Sequence, residues 1–109
     1  MCRAVKVLCV AENLQTLGEL KRATVSAEWE LCPGATELRD ALDQIDRERP
    51  HVLVAIGEWS ALVTLVAERF PGMRIVTDRD TLGATAIAAS LAEVRDLVKG
   101  LPRPSGPIR

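Results

Sequence analysis

An α/β fold built on a parallel, doubly wound sheet is predicted by three features of the sequence. Short β-rich apolar runs recur (VKVLCV, HVLVAI, MRIVT), stretches with apolar residues at helical spacing follow them, and Pro, Gly, Asn or Ser mark the breaks. Runs that are apolar almost throughout suit strands buried on both faces, the condition of a parallel sheet covered by crossover helices. With 109 residues, 48% hydrophobic and 27% charged, the chain has material for one core. Aromatic residues make up only 3%, with no Tyr, so Val, Leu, Ile and Ala must build it.

The first strand is expected over Val5 to Val10, ending at Ala11, Glu12 and Asn13. Leu14, Leu17, Leu20 and Ala23 then recur at helical spacing, with Glu19, Lys21 and Arg22 on the wet side. Val25 to Cys32 alternates, Trp29 and Leu31 on one face and Glu28 and Glu30 on the other, as an edge strand does. Pro33 and Gly34 make the turn, Thr36 is the expected N-cap, and Leu38, Ala41, Leu42 and Ile45 form the stripe of a second helix that stops before Pro50.

The third strand runs from Val52 to Ile56 and turns at Gly57. Ser60 is the expected cap of a third helix carrying Leu62, Leu65, Val66 and Phe70, stopped by Pro71 and Gly72. Met73 to Thr77 is a short fourth strand. The following TDRDTLGATAIAAS is too short for a full helix before the strand-like Thr85 to Ala89, so the fourth helix is expected to be shortened or missing. Ser90 with Glu93 fits a capping box for a last helix carrying Leu91, Val94, Leu97, Val98 and Leu101. Residues 102–109, rich in Pro and Gly, read as a flexible tail or the start of a linker, leaving 1–101 as the domain. Right-handed crossovers through these elements give the flavodoxin-like strand order 2-1-3-4-5.

The charge pattern excludes several functions. Net charge is −1 with Lys and Arg interspersed among acids, so no electrostatic footprint for nucleic acid is present. Cys2, Cys9 and Cys32 show neither CxxC nor Cys/His ligand spacing. No apolar run reaches the roughly 20 residues that span a bilayer and no signal-peptide pattern opens the chain, so no membrane contact and a cytoplasmic location are expected. His51, the single histidine, opens the third strand at the amino end of the sheet, far from the carboxyl-end crevice where ligands of such sheets bind. At that crevice the sequence places Glu12, Glu58, Thr77, Asp78 and Asp80. Their oxygens suit Mg²⁺ or Ca²⁺, and acids of this kind are equally those of solvated loops.

Over residues 4–101 the chain resembles the receiver domain of bacterial response regulators, through VKVLCVAEN, ERPHVLVAIGEW, ERFPGMRIVTD and LGATAIAASLAEVRDLVKGL. The resemblance implies an acidic pair for Mg²⁺ after the first strand, a phosphoacceptor Asp ending the third, a hydroxyl ending the fourth and a Lys ending the fifth. These fall on Ala11 and Glu12, on Ile56, on Thr77 and on Ser90, and the aromatic switch position falls near Ile87. Glu58 would come to the acceptor site through a small register slip or a loop excursion, and would there mimic a phosphorylated Asp; the alternation of strand faces favours a solvated helix-entry acid instead.

The resemblance therefore implies a degenerate, phosphorylation-independent receiver with no enzymatic activity. It would signal through homodimerisation or by docking a protein partner, as the regulatory or localising module of a larger protein. The alternative is a metal or small-molecule sensor using Glu12, Thr77 and Asp78. Mg²⁺ is the one cofactor considered. Loss of the fourth helix is expected to expose Met73, Ile75, Leu82 and Ile87 unless the 78–84 loop folds over them, and the interface candidates are Ile75, Leu82, Ile87 and Val94.

Overall fold

The computed structural model describes residues 5–25, 29–79, 83–88 and 90–100. Strands β1 (Val5–Val10), β2 (Trp29–Leu31), β3 (Val52–Ala55), β4 (Arg74–Thr77) and β5 (Ala86–Ile87) form one sheet in the order 2-1-3-4-5, every pair parallel. Helices α1 (Leu14–Thr24), α2 (Leu38–Glu48), α3 (Ser60–Arg69) and α4 (Leu91–Gly100) cover it. The strand order reverses between β1 and β3, which makes their carboxyl ends the switch point where such a sheet opens a crevice.

The period of two along each strand sorts the core into two layers. Val7, Cys9, Val52, Val54 and Val76 face Leu17, Leu20, Val94 and Val98, the inner residues of α1 and α4. Leu8, Val10, Leu53 and Ile75 face Ala41, Ile45, Leu62, Val63 and Val66 of α2 and α3. Both faces of the sheet are thus covered, which is why its strands read as apolar runs. Among the described residues no helix is long and apolar enough to cross a membrane.

Several boundaries differ from the sequence reading for local reasons. Val25 terminates α1, its N–H donating to the Lys21 carbonyl, and so does not open β2, which is described over Trp29–Leu31; residues 26–28 lie outside the described residues. Trp29 is held there by its indole N–H, which donates to the Thr24 carbonyl at 2.9 Å. Asn13 caps α1 by accepting from the Thr16 N–H at 2.8 Å. Thr36 is not the cap of α2: Glu37 stands there without a side-chain cap bond. Ser60 is the first residue of α3 rather than its cap, which is Trp59.

The fourth crossover is the departure that matters. Parallel strands usually need a dozen or more connecting residues. Here residues 78–85 suffice because β5 pairs only with Val76 and Thr77, so the chain has little distance to retrace. The described part of this segment, 78–79 and 83–85, contains no helix. Gly83, at φ 101°, lies against α3, where an added Cβ would stand 3.2 Å from the Ala67 Cβ and 3.4 Å from Val63 Cγ1. Thr85 continues the ladder, donating its N–H to the Ile75 carbonyl and accepting the Ile75 N–H on its hydroxyl at 3.0 Å.

Among the described residues the expected exposure is mostly absent. Met73 and Ile75 are buried, Ile75 to 1%, and Val94 is fully buried under α4. Ile75 and Val94 are core residues and not interface residues, because strand and helix periodicity turn them inward. Ile87 alone matches the expectation, at 48% exposed. Leu82 lies outside the described residues.

At the opposite end of the sheet His51 completes a ladder that the chain itself cannot. Its N–H donates to the Lys6 carbonyl at 2.8 Å, and its Nδ1 accepts the Lys6 N–H at 3.1 Å, in place of a backbone carbonyl. Replacing His51 with Ala is expected to cost about 1 kcal/mol, the usual net worth of such a bond. His51→Asn, whose Oδ1 reaches the same place, should recover most of it in urea denaturation. Equal midpoints for the two variants would show that the imidazole contributes packing alone.

Candidate functional site

The carboxyl ends of β1, β3 and β4 bring Glu12, the Gly57–Glu58 turn, and Thr77, Asp78 and Arg79 together. Glu12 leaves β1 after the buried Ala11 and crosses to the turn after β3, where its Oε2 accepts the Glu58 N–H at 3.0 Å. Its stem lies on Gly57: a Cβ there would stand 2.5 Å from both Cγ and Cδ of Glu12. Gly57 has φ 108°, a conformation that favours glycine. From β4, Asp78 accepts the Gly57 N–H on Oδ1 at 3.2 Å and pairs through the same oxygen with Arg79 Nε at 3.2 Å. Buried Thr77 donates its hydroxyl to the Arg79 carbonyl at 2.7 Å.

Glu58 is exposed and turned toward the start of its own helix, accepting from the Ser60 hydroxyl and, at 3.4 Å, from the Ser60 N–H. The Ser60 hydroxyl first, then the Ser60 N–H, hold its carboxyl below the usual carboxylate range. Trp59 closes the turn, its indole N–H donating to the Ile56 carbonyl at 2.9 Å. Ile56 follows β3 without a slip in register: Ala55 pairs with Thr77, and the Ile56 N–H donates to the Val10 carbonyl at 3.0 Å. Its side chain is half-buried against the α1/α4 core layer, where a hydrocarbon is at ease.

The site residues expected from the sequence thus meet, with different roles. Glu12 and Asp78 serve as acceptors for backbone N–H groups, Thr77 is tied to its own loop, and Asp80 lies outside the described residues. Mg²⁺ demands a near-octahedral set of oxygens. Among the described residues no three His, Cys, Asp or Glu side chains come together as ligands, and the carboxylates present are engaged by N–H groups and by Arg79. The described residues therefore do not make up a ligand set for a divalent ion. Ser90, which the resemblance sets at the lysine position, is exposed.

Arg79 and Trp59 are the contributors the sequence reading missed. The one available signal for Arg79 was its place between two acids in DRD. Cys9 and Cys32 are core groups: burial pushes the Cys9 thiol up to about 12 and raises that of Cys32 as well. His51 lies on the amino side of β3, away from this crevice.

No protein-family model and no curated protein matches the sequence. Solved structures do match in fold. A CheY-like receiver domain protein from Methanospirillum hungatei superposes with a TM-score of 0.72 at 17% identity, over 89% of this chain and 92% of the other. An orphan response regulator of H. pylori gives 0.69 at 14%, over 87% and 93%. A cobalamin-binding protein from Desulfitobacterium hafniense gives 0.66 at 13%, over 89% of this chain and 58% of the other. The chain therefore has the receiver-like, flavodoxin-like fold, and the last match shows how widely that frame is shared.

Proposed function

We propose that this receiver-like chain is a signalling module that works by binding protein, either a second copy or a partner, without accepting a phosphoryl group. What supports the reading is Ile56, which the resemblance sets at the acceptor position and which follows β3 in unbroken register, its N–H donating to the Val10 carbonyl. Phosphoryl transfer to a side chain requires a nucleophilic lone pair, and a sec-butyl group has none. A metal to neutralise the phosphoryl oxygens and a lysine for the developing charge are the other two requirements; the described acids Glu12, Glu58 and Asp78 are engaged by N–H and O–H groups, and Ser90, which the resemblance sets at the lysine position, carries no charge. On this reading the module performs no catalysis, acts in the cytoplasm, and serves as the regulatory or localising part of a larger protein, with Ile87 in its contact surface.

The test is intact mass together with light scattering coupled to size exclusion, over a concentration series, with and without Mg²⁺ and a small phosphodonor. The expected result is no phosphoryl adduct and an association state that follows protein concentration alone. An adduct on Glu58 or Asp78, or a change of state on adding the donor, would refute the reading. Stabilisation by Mg²⁺ alone would favour a sensor instead, since a ligand that binds the native state raises its stability by mass action.

A further inference from the structure

We infer that Arg79 is a resident cation of the crevice: its tethered guanidinium stands where an acidic crevice would recruit a divalent ion, and it latches the loops after β1, β3 and β4 in one arrangement. The inference rests on the reading that neither phosphate nor metal enters the site. Three carboxylates, those of Glu12, Glu58 and Asp78, surround the Gly57–Glu58 turn, and like charges so placed repel one another unless a cation is near. Arg79 pairs directly with Asp78 at 3.2 Å, and the fields of Glu12 and Glu58 add to that of Asp78 in favouring its charged form.

Its position is set by the backbone. The buried Thr77 hydroxyl donates to the Arg79 carbonyl at 2.7 Å, so the residue is aimed from a rigid strand end. Asp78, which it pairs with, is the acceptor for the Gly57 N–H, so its charge reaches the turn through Asp78, with the field of the nearby Glu12, acceptor for the Glu58 N–H, adding to the attraction. A guanidinium keeps its charge across the working pH range and cannot be removed by a chelator. The crevice is therefore held in one state where a metal-dependent receiver has two.

The experiment is backbone amide exchange at Gly57 and Glu58, with and without Mg²⁺, in the wild-type chain and in Arg79→Gln and Arg79→Lys. Arg79 is exposed, so both variants fold. Wild-type exchange is expected to be slow and indifferent to Mg²⁺ or EDTA. Arg79→Gln should speed it by about threefold, the loss of roughly one solvent-screened ion pair. Restoration by Arg79→Lys or by Mg²⁺ added to Arg79→Gln would show that positive charge is what the site requires. The inference is overturned if Arg79→Gln matches wild type, if the wild type responds to Mg²⁺, or if neither lysine nor Mg²⁺ restores protection. A phosphoryl adduct with Mg²⁺-insensitive exchange would defeat the functional reading and leave the latch standing; Arg79→Gln exchange equal to wild type, without an adduct and without any response to Mg²⁺, would do the reverse.

Discussion

Gly57→Ala is expected to destabilise the protein by about 3 kcal/mol, from two separable causes. The first is conformational: at φ 108° a Cβ meets its own backbone, which costs an L-residue about 1–2 kcal/mol in the left-handed region. The second is a collision, since the new methyl would stand 2.5 Å from Cγ and Cδ of Glu12. Glu12 can move aside only by releasing the Glu58 N–H it accepts at 3.0 Å, so relief of the clash loosens the turn. Urea denaturation of Gly57→Ala in the wild-type and Glu12→Ala backgrounds separates the causes. In the Glu12→Ala background the cost should fall to about 1–2 kcal/mol, the backbone part alone. An unchanged cost in both backgrounds would mean that the Glu12 stem does not occupy the space above Gly57.

The fold was legible because its strands are short, apolar and separated by helical spacing, a pattern that few architectures other than a covered parallel sheet accommodate. Boundaries were less so. Val25 carries a strand-like side chain, but whether it ends α1 or begins β2 depends on a backbone bond to Lys21 that the composition does not show. Thr36 and Glu37 are neighbours either of which suits the start of a helix, and the choice depends on how the chain leaves the turn at Gly34. The acids of the crevice were found because they follow strands. What those acids do was hidden, because Glu58 N–H and Glu12 are 46 residues apart in sequence and Gly57 N–H and Asp78 are 21 apart. A carboxylate that accepts an amide and one that holds a metal are the same letter in a sequence; only the partner across the sheet distinguishes them.

Ile75 and Ile87 separate core from surface on the side of the 78–85 crossover. Ile75→Ala should cost about 2–5 kcal/mol, the range for emptying a well-packed aliphatic site, because Leu53, Leu62, Val63 and Val66 share its core layer. Ile87 has the same β-branched side chain, two positions past Thr85 on the edge strand, yet is 48% exposed. Ile87→Lys is therefore expected to leave the urea midpoint within about 0.5 kcal/mol of wild type, as surface changes do. If the edge of β5 is the contact surface, the same substitution should weaken self-association or partner capture, since a charge there desolvates poorly and lysine on an edge strand opposes strand addition. A stability loss for Ile87→Lys comparable to that of Ile75→Ala would place β5 inside the core. Unchanged stability and unchanged association together would remove Ile87 from the proposed interface, and the search would then move to the other exposed apolar residues, Leu14, Val25 and Leu38.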